Sequence, residues 1–170
     1  ERLIRYLYAE VGSLQNINKI TNTLNSFGYK ITNKTVANYV KGIEDALLLY
    51  KAERFNVKGR KVLSGNAKYY AVDMGLRRLI AGDRTEDFGH VLENIVYLEL
   101  IRREYKVYVG MIEKREVDFL AIRPNGDRIY VQVALQTEHE KTLNRELSSL
   151  LLIQDNYPKY LLTLDDIMTE

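Results

Sequence analysis

The chain of 170 residues contains no cysteine and only two histidines, His90 and His139. Without cysteine it can form no disulfide bond, thiolate zinc site or cysteine nucleophile, and two histidines cannot build a multi-histidine metal site. Its apolar stretches, such as Leu47–Tyr50 and Leu150–Ile153, are too short to cross a bilayer, so no membrane partner is expected. With 46% hydrophobic and 28% charged residues, the composition is that of a globular protein.

Two further absences concern location and cofactors. The opening segment Glu1–Ile4 carries charge where a signal peptide needs an apolar run, so a cytoplasmic location is expected. Because the chain begins with glutamate rather than methionine, we expect it to be part of a longer protein. The sequence contains no Gly-x-x-x-x-Gly-Lys-Ser/Thr motif, so it cannot bind ATP through a P-loop. We expect no cofactor in this part of the protein, and ATP only at a domain outside it.

The two halves of the chain carry opposite net charge. Residues 1–84 hold 15 basic and 7 acidic side chains, a net charge of +8, whereas residues 85–170 hold 10 basic and 16 acidic side chains, a net charge of −6. Such asymmetry is typical of a basic element that binds a polyanion, joined to a different element. The alternative is that acids and bases pair across an interface. We predict two domains with these same boundaries and a linker at Gly82–Thr85.

The first domain, residues 1–84, is predicted to be a winged helix-turn-helix. Apolar residues at helical spacing predict three helices within residues 1–47. Segments with β character at residues 48–55 and 68–72 flank a basic, glycine-punctuated loop at residues 56–66. Three helices followed by a hairpin with a basic tip is the order of elements in a winged helix.

Caps and stop signals predict where the helices of this domain begin and end. Ser13, Thr32 and Asp73 can cap the second, third and fourth helices, because their side-chain oxygens accept hydrogen bonds from the first turn. The apolar spacing predicts that Phe27 lies on the buried face of the second helix and Leu47 on that of the third.

A winged helix predicts duplex DNA as the partner. Its third helix would enter the major groove, and the basic loop would reach phosphates. Because the cations are few, we expect contact with the DNA backbone at low sequence specificity. Winged helices also serve as protein–protein modules, and that alternative stays open. The predicted nucleic-acid contacts are Lys34, Asn38, Lys41, Lys58, Arg60 and Lys61.

The second domain, residues 85–170, is predicted to have the order α-β-β-β-α-β, which makes the chain an α+β protein with a mixed sheet. The two helices are expected from Glu86 to about Glu104 and from Glu138 to about Ile153. Phe88, Ile95 and Leu151 are predicted to face the core from these helices. The strands are predicted at residues 106–112, 116–122, 128–135 and 160–164.

Three polar residues of the second domain are predicted to converge: Glu93 on the first helix, Asp118 on the second strand and Gln132 on the third. Asp118 interrupts an apolar run, and a carboxylate in such a place usually needs a partner or a metal. Phosphodiesterases hold magnesium between carboxylates of this kind, and the metal activates water. We therefore expect Glu93, Asp118 and Gln132 to be the catalytic and metal-binding candidates. The alternative for any single acid is a solvated charge.

Several segments carry a family resemblance: Gly89–Leu100, Glu116–Phe119 and Tyr130–Ala134. Together they resemble the PD-(D/E)XK nuclease superfamily. Within it, the chain resembles the C-terminal region of a family of prokaryotic AAA-type ATPases. In those proteins an ATPase core is followed by a winged helix and a nuclease-like domain of unknown function. Lys68–Arg77 and Asn156–Tyr160 also fit this family, so the resemblance covers nearly the whole chain.

The third motif departs from the family pattern. Glu93 matches the helix carboxylate and Asp118 the central metal-binding acid, but the usual Glu-x-Lys is replaced by Gln132-Val133-Ala134. Gln132 removes one negative charge, and Ala134 has no amine to stabilise a transition state. The resemblance therefore implies a nuclease-like fold with weak or absent catalysis and weak or absent Mg²⁺ binding.

Three functions remain open from the sequence. The first is a DNA-associated, non-catalytic C-terminal module of an AAA-type ATPase, whose partners are DNA and the ATPase domain. The second is an active magnesium-dependent DNA nuclease. The third is a protein-interaction or regulatory module that docks on the ATPase or on another protein.

Overall fold

The structure is a computed structural model that describes residues 1–82 and 88–165. Over these residues the protein is α+β, with six helices and six strands, which confirms the predicted class. The helices are α1 (Arg2–Ala9), α2 (Ile17–Ser26), α3 (Asn33–Asp45), α4 (Met74–Ala81), α5 (Phe88–Arg102) and α6 (Glu140–Leu150). The strands are β1 (Leu49–Asn56), β2 (Lys61–Ala71), β3 (Lys106–Ile112), β4 (Arg115–Ile122), β5 (Arg128–Val133) and β6 (Lys159–Leu162).

The strands form one mixed sheet in the order β2-β1-β3-β4-β5-β6. The β3–β4 and β4–β5 pairs are antiparallel, whereas β1 pairs with β3, and β5 with β6, in parallel. Mixed pairing was predicted, because the strands of the second half alternate hairpin connections with a helical crossover. None of the helices among residues 1–82 and 88–165 is long and apolar enough to span a bilayer.

The described residues divide into two compact units. Unit 1 comprises residues 1–53 and 63–82, and unit 2 comprises residues 54–62 and 88–165. The segment 54–62, expected to belong to the winged helix, joins unit 2 because Arg54–Asn56 of β1 pair with Val109–Met111 of β3. The backbone N–H of Val57 then donates to the carbonyl of Met111 at 2.9 Å. Most of the predicted linker, residues 83–85, lies outside the described residues, as does the predicted start of α5 at Glu86.

Side-chain capping explains where most helices of unit 1 begin. The Thr32 and Asp73 side chains accept hydrogen bonds from the N–H groups of Thr35 and Leu76, which confirms both predicted caps. Ser13 does not cap α2. That helix begins later, where the Asn16 side chain accepts from the N–H of Lys19 at 2.8 Å. Asparagine and serine are comparable caps, so the choice between two nearby candidates depends on the backbone that leads into the helix.

Two apolar residues predicted to be buried in unit 1 lie at helix ends and are exposed. Phe27 and Leu47 are each 65% exposed. Leu47 has φ +53°, and the N–H groups of Leu47 and Leu48 donate to the carbonyls of Glu44 and Ile43. These bonds form a Schellman motif, which turns the chain away from the helix axis directly after α3. Leu47 therefore leaves the apolar face that its spacing predicted, and β1 begins two residues later, at Leu49.

The hairpin loop is shorter than its sequence predicts. Strand β2 begins at Lys61 rather than near residue 68, so the expected loop at 56–66 reduces to the turn Val57–Arg60. The first residues of β2 are mostly exposed, in contrast to the buried run Ala67–Ala71. Because that part of the strand has no buried face, its sequence shows no alternation from which a strand could be predicted.

The core of unit 2 lies between the central strands and α6. It contains Val117 and Leu120 of β4, Tyr130 of β5, and Leu150 and Ile153 at the end of α6. Phe88 and Ile95 of α5 are 62% and 50% exposed, and Leu151 is 76% exposed, so their predicted burial is wrong. Because α5 has apolar residues on every face, spacing alone could not identify its buried side. The residues that α5 buries are Glu93, Asn94, Tyr97 and Leu100.

Candidate functional site

Asp118 and Gln132 contact each other at the point where β4 and β5 separate. The last paired residues of these strands at this end are Phe119 and Val131. Beyond them, the backbone N–H of Asp118 donates to Oε1 of Gln132 at 3.3 Å, and the N–H of Val133 donates to Oδ2 of Asp118 at 2.9 Å. Side-chain oxygens thus take over the role of backbone carbonyls at the end of the ladder.

A β-bulge explains why Asp118 is available for this contact. The register with β3 runs from Tyr108↔Leu120 to Gly110↔Val117. Two residues of β4, Asp118 and Phe119, therefore face the single residue Val109. An extra residue in one strand interrupts the alternation of backbone groups and redirects side chains, and such bulges are frequent beside functional sites.

Gln132 extends the contact to α6. Its Nε2 atom donates to Oε2 of Glu146 at 3.0 Å, and Oε1 of Glu146 accepts from the guanidinium of Arg145 at 2.6 and 2.9 Å. Gln132 is 8% exposed. Both ends of its amide are therefore hydrogen-bonded, the oxygen to β4 and the nitrogen to α6. We call Asp118, Gln132 and Glu146 the β4–β5 cluster.

The third predicted site residue, Glu93, is on the buried face of α5 and is 7% exposed. One of its carboxylate oxygens lies 3.7 Å from Nδ1 of His90, one turn earlier on the helix. Sequence spacing did not single out His90, although positions i and i+3 share a helix face. Glu93 is thus a buried carboxylate, and its convergence with Asp118 and Gln132 stays a prediction.

The side-chain oxygens of the β4–β5 cluster accept hydrogen bonds from neighbouring N–H groups. Oδ2 of Asp118 and Oε1 of Gln132 accept backbone hydrogen bonds, and the Arg145 guanidinium and the Gln132 amide both present N–H groups to Glu146. N–H donors and a positive charge beside a carboxylate compete with a metal for its lone pairs. Among residues 1–82 and 88–165, no group of three or more His, Cys, Asp or Glu side chains could hold a metal ion.

The predicted DNA contacts on α3 are exposed. Lys34, Asn38 and Lys41 all lie on the solvent side of the helix, in unit 1. The Nζ of Lys41 donates to Asp45 at 2.8 Å, and this hydrogen bond raises the pKa of Lys41. Sequence analysis did not include Tyr39, which is 57% exposed beside them. An exposed aromatic ring next to cations is a signal that could have been used.

The predicted contacts of the basic loop lie in unit 2. Lys58, Arg60 and Lys61 are exposed. Arg60 has φ +50°, so the turn Val57–Arg60 places a cation at a backbone position that favours glycine or asparagine. Lys58 and Arg60 also line a cavity of about 320 Å³ together with residues from the sheet of unit 2.

Comparison with known proteins assigns the chain to a family. The model of a family described as "Domain of unknown function (DUF8612)" matches residues 1–87, and the chain belongs to this family. An uncharacterized protein of Haemophilus influenzae is 42% identical over 161 residues, which cover 95% of this chain and 39% of that protein. An uncharacterized protein of Methanocaldococcus jannaschii is 29% identical over 133 residues, which cover 75% of this chain and 29% of that protein.

The chain therefore spans about two fifths or less of the length of these relatives. No solved structure matches it. The family description and the names of the relatives mention neither an ATPase nor a nuclease, so the resemblance to those proteins stays a prediction.

Proposed function

We propose that the chain is a DNA-associated module of a larger ATPase, in which residues 1–84 act as a winged helix and the second domain is nuclease-like in fold but does not cleave. Three helices followed by the hairpin β1–β2 support the first part. A helix, three antiparallel strands, a helix and a parallel strand support the second, in the order α5-β3-β4-β5-α6-β6.

The observation that carries the proposal is the hydrogen bonding of Gln132. A glutamate in this place would offer two acceptor oxygens, whereas Gln132 uses one acceptor toward Asp118 and one donor toward Glu146. The amide thereby connects the backbone of Asp118 in β4 to the carboxylate of Glu146 in α6. Gln132 thus removes a charge relative to the resembled nuclease motif and supplies hydrogen bonds to Asp118 and Glu146.

Contact with DNA is supported by the exposure of cations in both units. Lys34 and Lys41 are exposed on α3, and Lys58, Arg60 and Lys61 on the turn and the start of β2. The ion pair of Lys41 with Asp45 is at the surface, where solvent and salt screen it and such a pair contributes little to stability. A phosphate can therefore replace Asp45 at little cost, and counterion release from the DNA drives association.

A salt titration of duplex binding tests the proposal. We expect the logarithm of the binding constant to fall steeply with the logarithm of salt concentration, and the slope to decrease by about 2–3 when Lys58, Arg60 and Lys61 are all changed to Gln. The matched control changes Arg102, Arg103 and Lys114 to Gln, three exposed cations of unit 2 outside the predicted set. Undetectable binding, or equal effects of the two triple variants, would contradict DNA contact by the turn.

The alternative of an active nuclease is tested separately. Plasmid and branched DNA are incubated with Mg²⁺ or Mn²⁺, and we expect no cleavage by the wild type. Cleavage that Asp118→Asn abolishes would overturn the non-cleaving assignment, and cleavage that survives this change would point to a different site.

The alternative of a protein-interaction module rests on a different observation. In unit 1, Leu24 and the exposed rings of Phe27 and Tyr29 border surface cavities of about 530 and 360 Å³. Exposed apolar side chains around a groove are typical of protein-docking surfaces. This alternative predicts that duplex DNA binds weakly or not at all, so the same salt titration separates it from the first proposal.

A further inference from the structure

The cavity beside the turn Val57–Arg60 is built entirely within unit 2. It has a volume of about 320 Å³, and its walls come from this turn, the end of β3, the start of β5 and the segment that follows α6. Val57, Ile112 and Ile153 form an apolar wall and belong to the core of the unit. We call it the turn cavity. A volume of this size is in the range of sites for small molecules.

Three cations line the turn cavity: Lys58 and Arg60 from the turn, and Arg128 from β5. Arg128 is the most constrained of them, because its Cζ atom lies 4.8 Å from the centroid of the Tyr157 ring. Its Nε atom is buried, and among the described residues it has no hydrogen-bond partner. That N–H group is closed to solvent, so the terminal nitrogens of the guanidinium are the groups that can contact a ligand in the cavity.

Two acidic residues, Glu113 and Asp155, also line the cavity, but the net charge of its lining stays positive. Asp155 is occupied by other groups, since it accepts hydrogen bonds from Tyr130 at 2.6 Å and from Lys159 at 3.1 Å. Burial acts to raise the pKa of Asp155, but these hydrogen bonds outweigh it and leave that pKa below its usual value. Glu113 is exposed in the β3–β4 turn. Lys58, Arg60 and Arg128 therefore face one solvated acid and one that is already neutralised by Lys159.

We propose that the turn cavity binds a phosphate group carried by a ligand of nucleotide size. The planar guanidinium of Arg128 lines the cavity and suits phosphate oxygens, because its terminal N–H groups form charge-assisted hydrogen bonds with them. Lys58 and Arg60 supply further charge from the turn, and the apolar wall of Val57, Ile112 and Ile153 covers the sugar or base.

The phosphate could come from a free nucleotide or from the phosphorylated end of a DNA strand, and the chemistry of recognition is the same. The inference shares Lys58 and Arg60 with the proposed DNA contact, but Arg128 and the cavity wall are not part of that contact. If duplex DNA does not bind, the proposed binding of phosphate in the turn cavity is unaffected. If the turn cavity does not bind phosphate, the proposed contact with duplex DNA is unaffected.

Calorimetric titration of the 170-residue chain tests the inference, with AMP, a 5′-phosphorylated single-stranded oligonucleotide and the same oligonucleotide with a 5′-hydroxyl as probes. We expect AMP, or the phosphorylated oligonucleotide in preference to its hydroxyl form, to bind. Arg128→Gln and Arg60→Asn are each expected to weaken that binding about tenfold or more, because each removes a charged hydrogen-bond donor. Arg60→Asn suits the positive φ at that position and remains informative if Arg128→Gln fails to fold.

Lys114→Gln is the matched control, because it removes one exposed positive charge in the neighbouring turn without changing the cavity lining. We expect its affinity to stay within about twofold of the wild type. Binding of AMP identifies a free nucleotide as the source, and selective binding of the phosphorylated oligonucleotide identifies a strand end. If neither binds, if the hydroxyl form binds equally well, or if Lys114→Gln weakens binding as much as Arg60→Asn does, the inference is wrong.

Discussion

The backbone N–H of Asp118 donates to the side-chain oxygen of Gln132, and the carboxylate of Asp118 in turn accepts from the N–H of Val133, the residue after Gln132. Each residue therefore bonds to the opposite strand with its side chain. These two side-chain hydrogen bonds take the place of backbone–backbone hydrogen bonds at the end of the β4–β5 pair. Asp118 and Gln132, which the sequence predicts as metal-binding residues, are thus structural contacts at this end of the β4–β5 pair.

Gln132→Glu is expected to destabilise the protein by about 1–3 kcal/mol. The change removes the donor to Glu146 and adds a negative charge beside Glu146 and Asp118. Urea unfolding at neutral pH measures the loss. Adding Glu146→Gln restores a donor–acceptor pair with the roles exchanged, so we expect the double variant to recover most of the stability. Wild-type stability in the single variant would show that the hydrogen bond at 3.0 Å contributes nothing.

Asp118→Ala is expected to cost about 1–3 kcal/mol, because it leaves the N–H of Val133 without its acceptor. Asp118→Asn keeps an acceptor oxygen at the same place, and its cost should be below about 1 kcal/mol. The urea concentrations at the unfolding midpoints of the two variants measure this difference, and we expect the lower midpoint for Asp118→Ala. Equal losses would mean that the charge of Asp118, rather than its hydrogen bond, stabilises the fold.

Tyr130→Phe is expected to lower the free energy of unfolding by about 1.5–3 kcal/mol. The ring of Tyr130 is fully buried, and its hydroxyl donates to Asp155 at 2.6 Å. Burial and the neighbouring carboxylate raise the pKa of Tyr130, so it stays a donor throughout the neutral range. Tyr160→Phe is the control, because this side chain is 48% exposed. A similar loss in both variants would contradict the assigned contact.

The contribution of Asp155 should depend on pH. Its pKa in the folded protein lies below its usual value, because its hydrogen bonds favour the charged form over the opposing effect of burial. A group with a lowered folded pKa stabilises the protein above its unfolded pKa, which is about 4 for aspartate, and the contribution disappears as the pH falls through the folded pKa. We expect the stability difference between wild type and Asp155→Asn to be largest at neutral pH and to shrink below about pH 4. A difference that is constant from pH 7 to about pH 3 would contradict this assignment.

Leu47→Gly is expected to stabilise the protein by up to about 1 kcal/mol. Leu47 has φ +53° in the Schellman motif after α3, a conformation that costs a side-chain-bearing residue energy and costs glycine none. The side chain is 65% exposed, so its removal loses little packing. Leu47→Ala keeps the strained conformation and should show no such gain. Thermal unfolding of both variants measures the difference, and a glycine variant no more stable than the alanine variant would contradict this explanation.

Local signals in the sequence predicted much of the secondary structure. The caps Thr32 and Asp73 form as expected, and Gly28, with φ +87°, ends α2 in the same motif that Leu47 forms after α3. Glu104, with φ +64°, ends α5 in this way too. Glycine signals the positive φ by itself, whereas leucine and glutamate give no such signal, and the fold imposes the conformation on them.

The site was predictable only in part. Sequence spacing and the family resemblance identified Asp118, Gln132 and Glu93, but Glu146 and Arg145 were not assigned to the site, because their contact with β5 depends on how α6 packs against the sheet. Lys58 and Arg60 were predicted as DNA contacts of a wing. Their position on a cavity shared with Arg128 could not be predicted, since residues 58 and 128 are 70 positions apart in the sequence.

By itself, the sequence determined the α+β class, the number of helices and strands among residues 1–82 and 88–165, and the absence of cysteine and P-loop chemistry, because propensity, capping and composition act over a few residues. Only the tertiary structure decided that residues 54–62 pack with unit 2, that α5 buries Glu93 rather than Phe88, and that Asp118 and Gln132 bond to each other's strands. These outcomes depend on strand register and on burial between distant segments, where a bulge of one residue redirects a side chain.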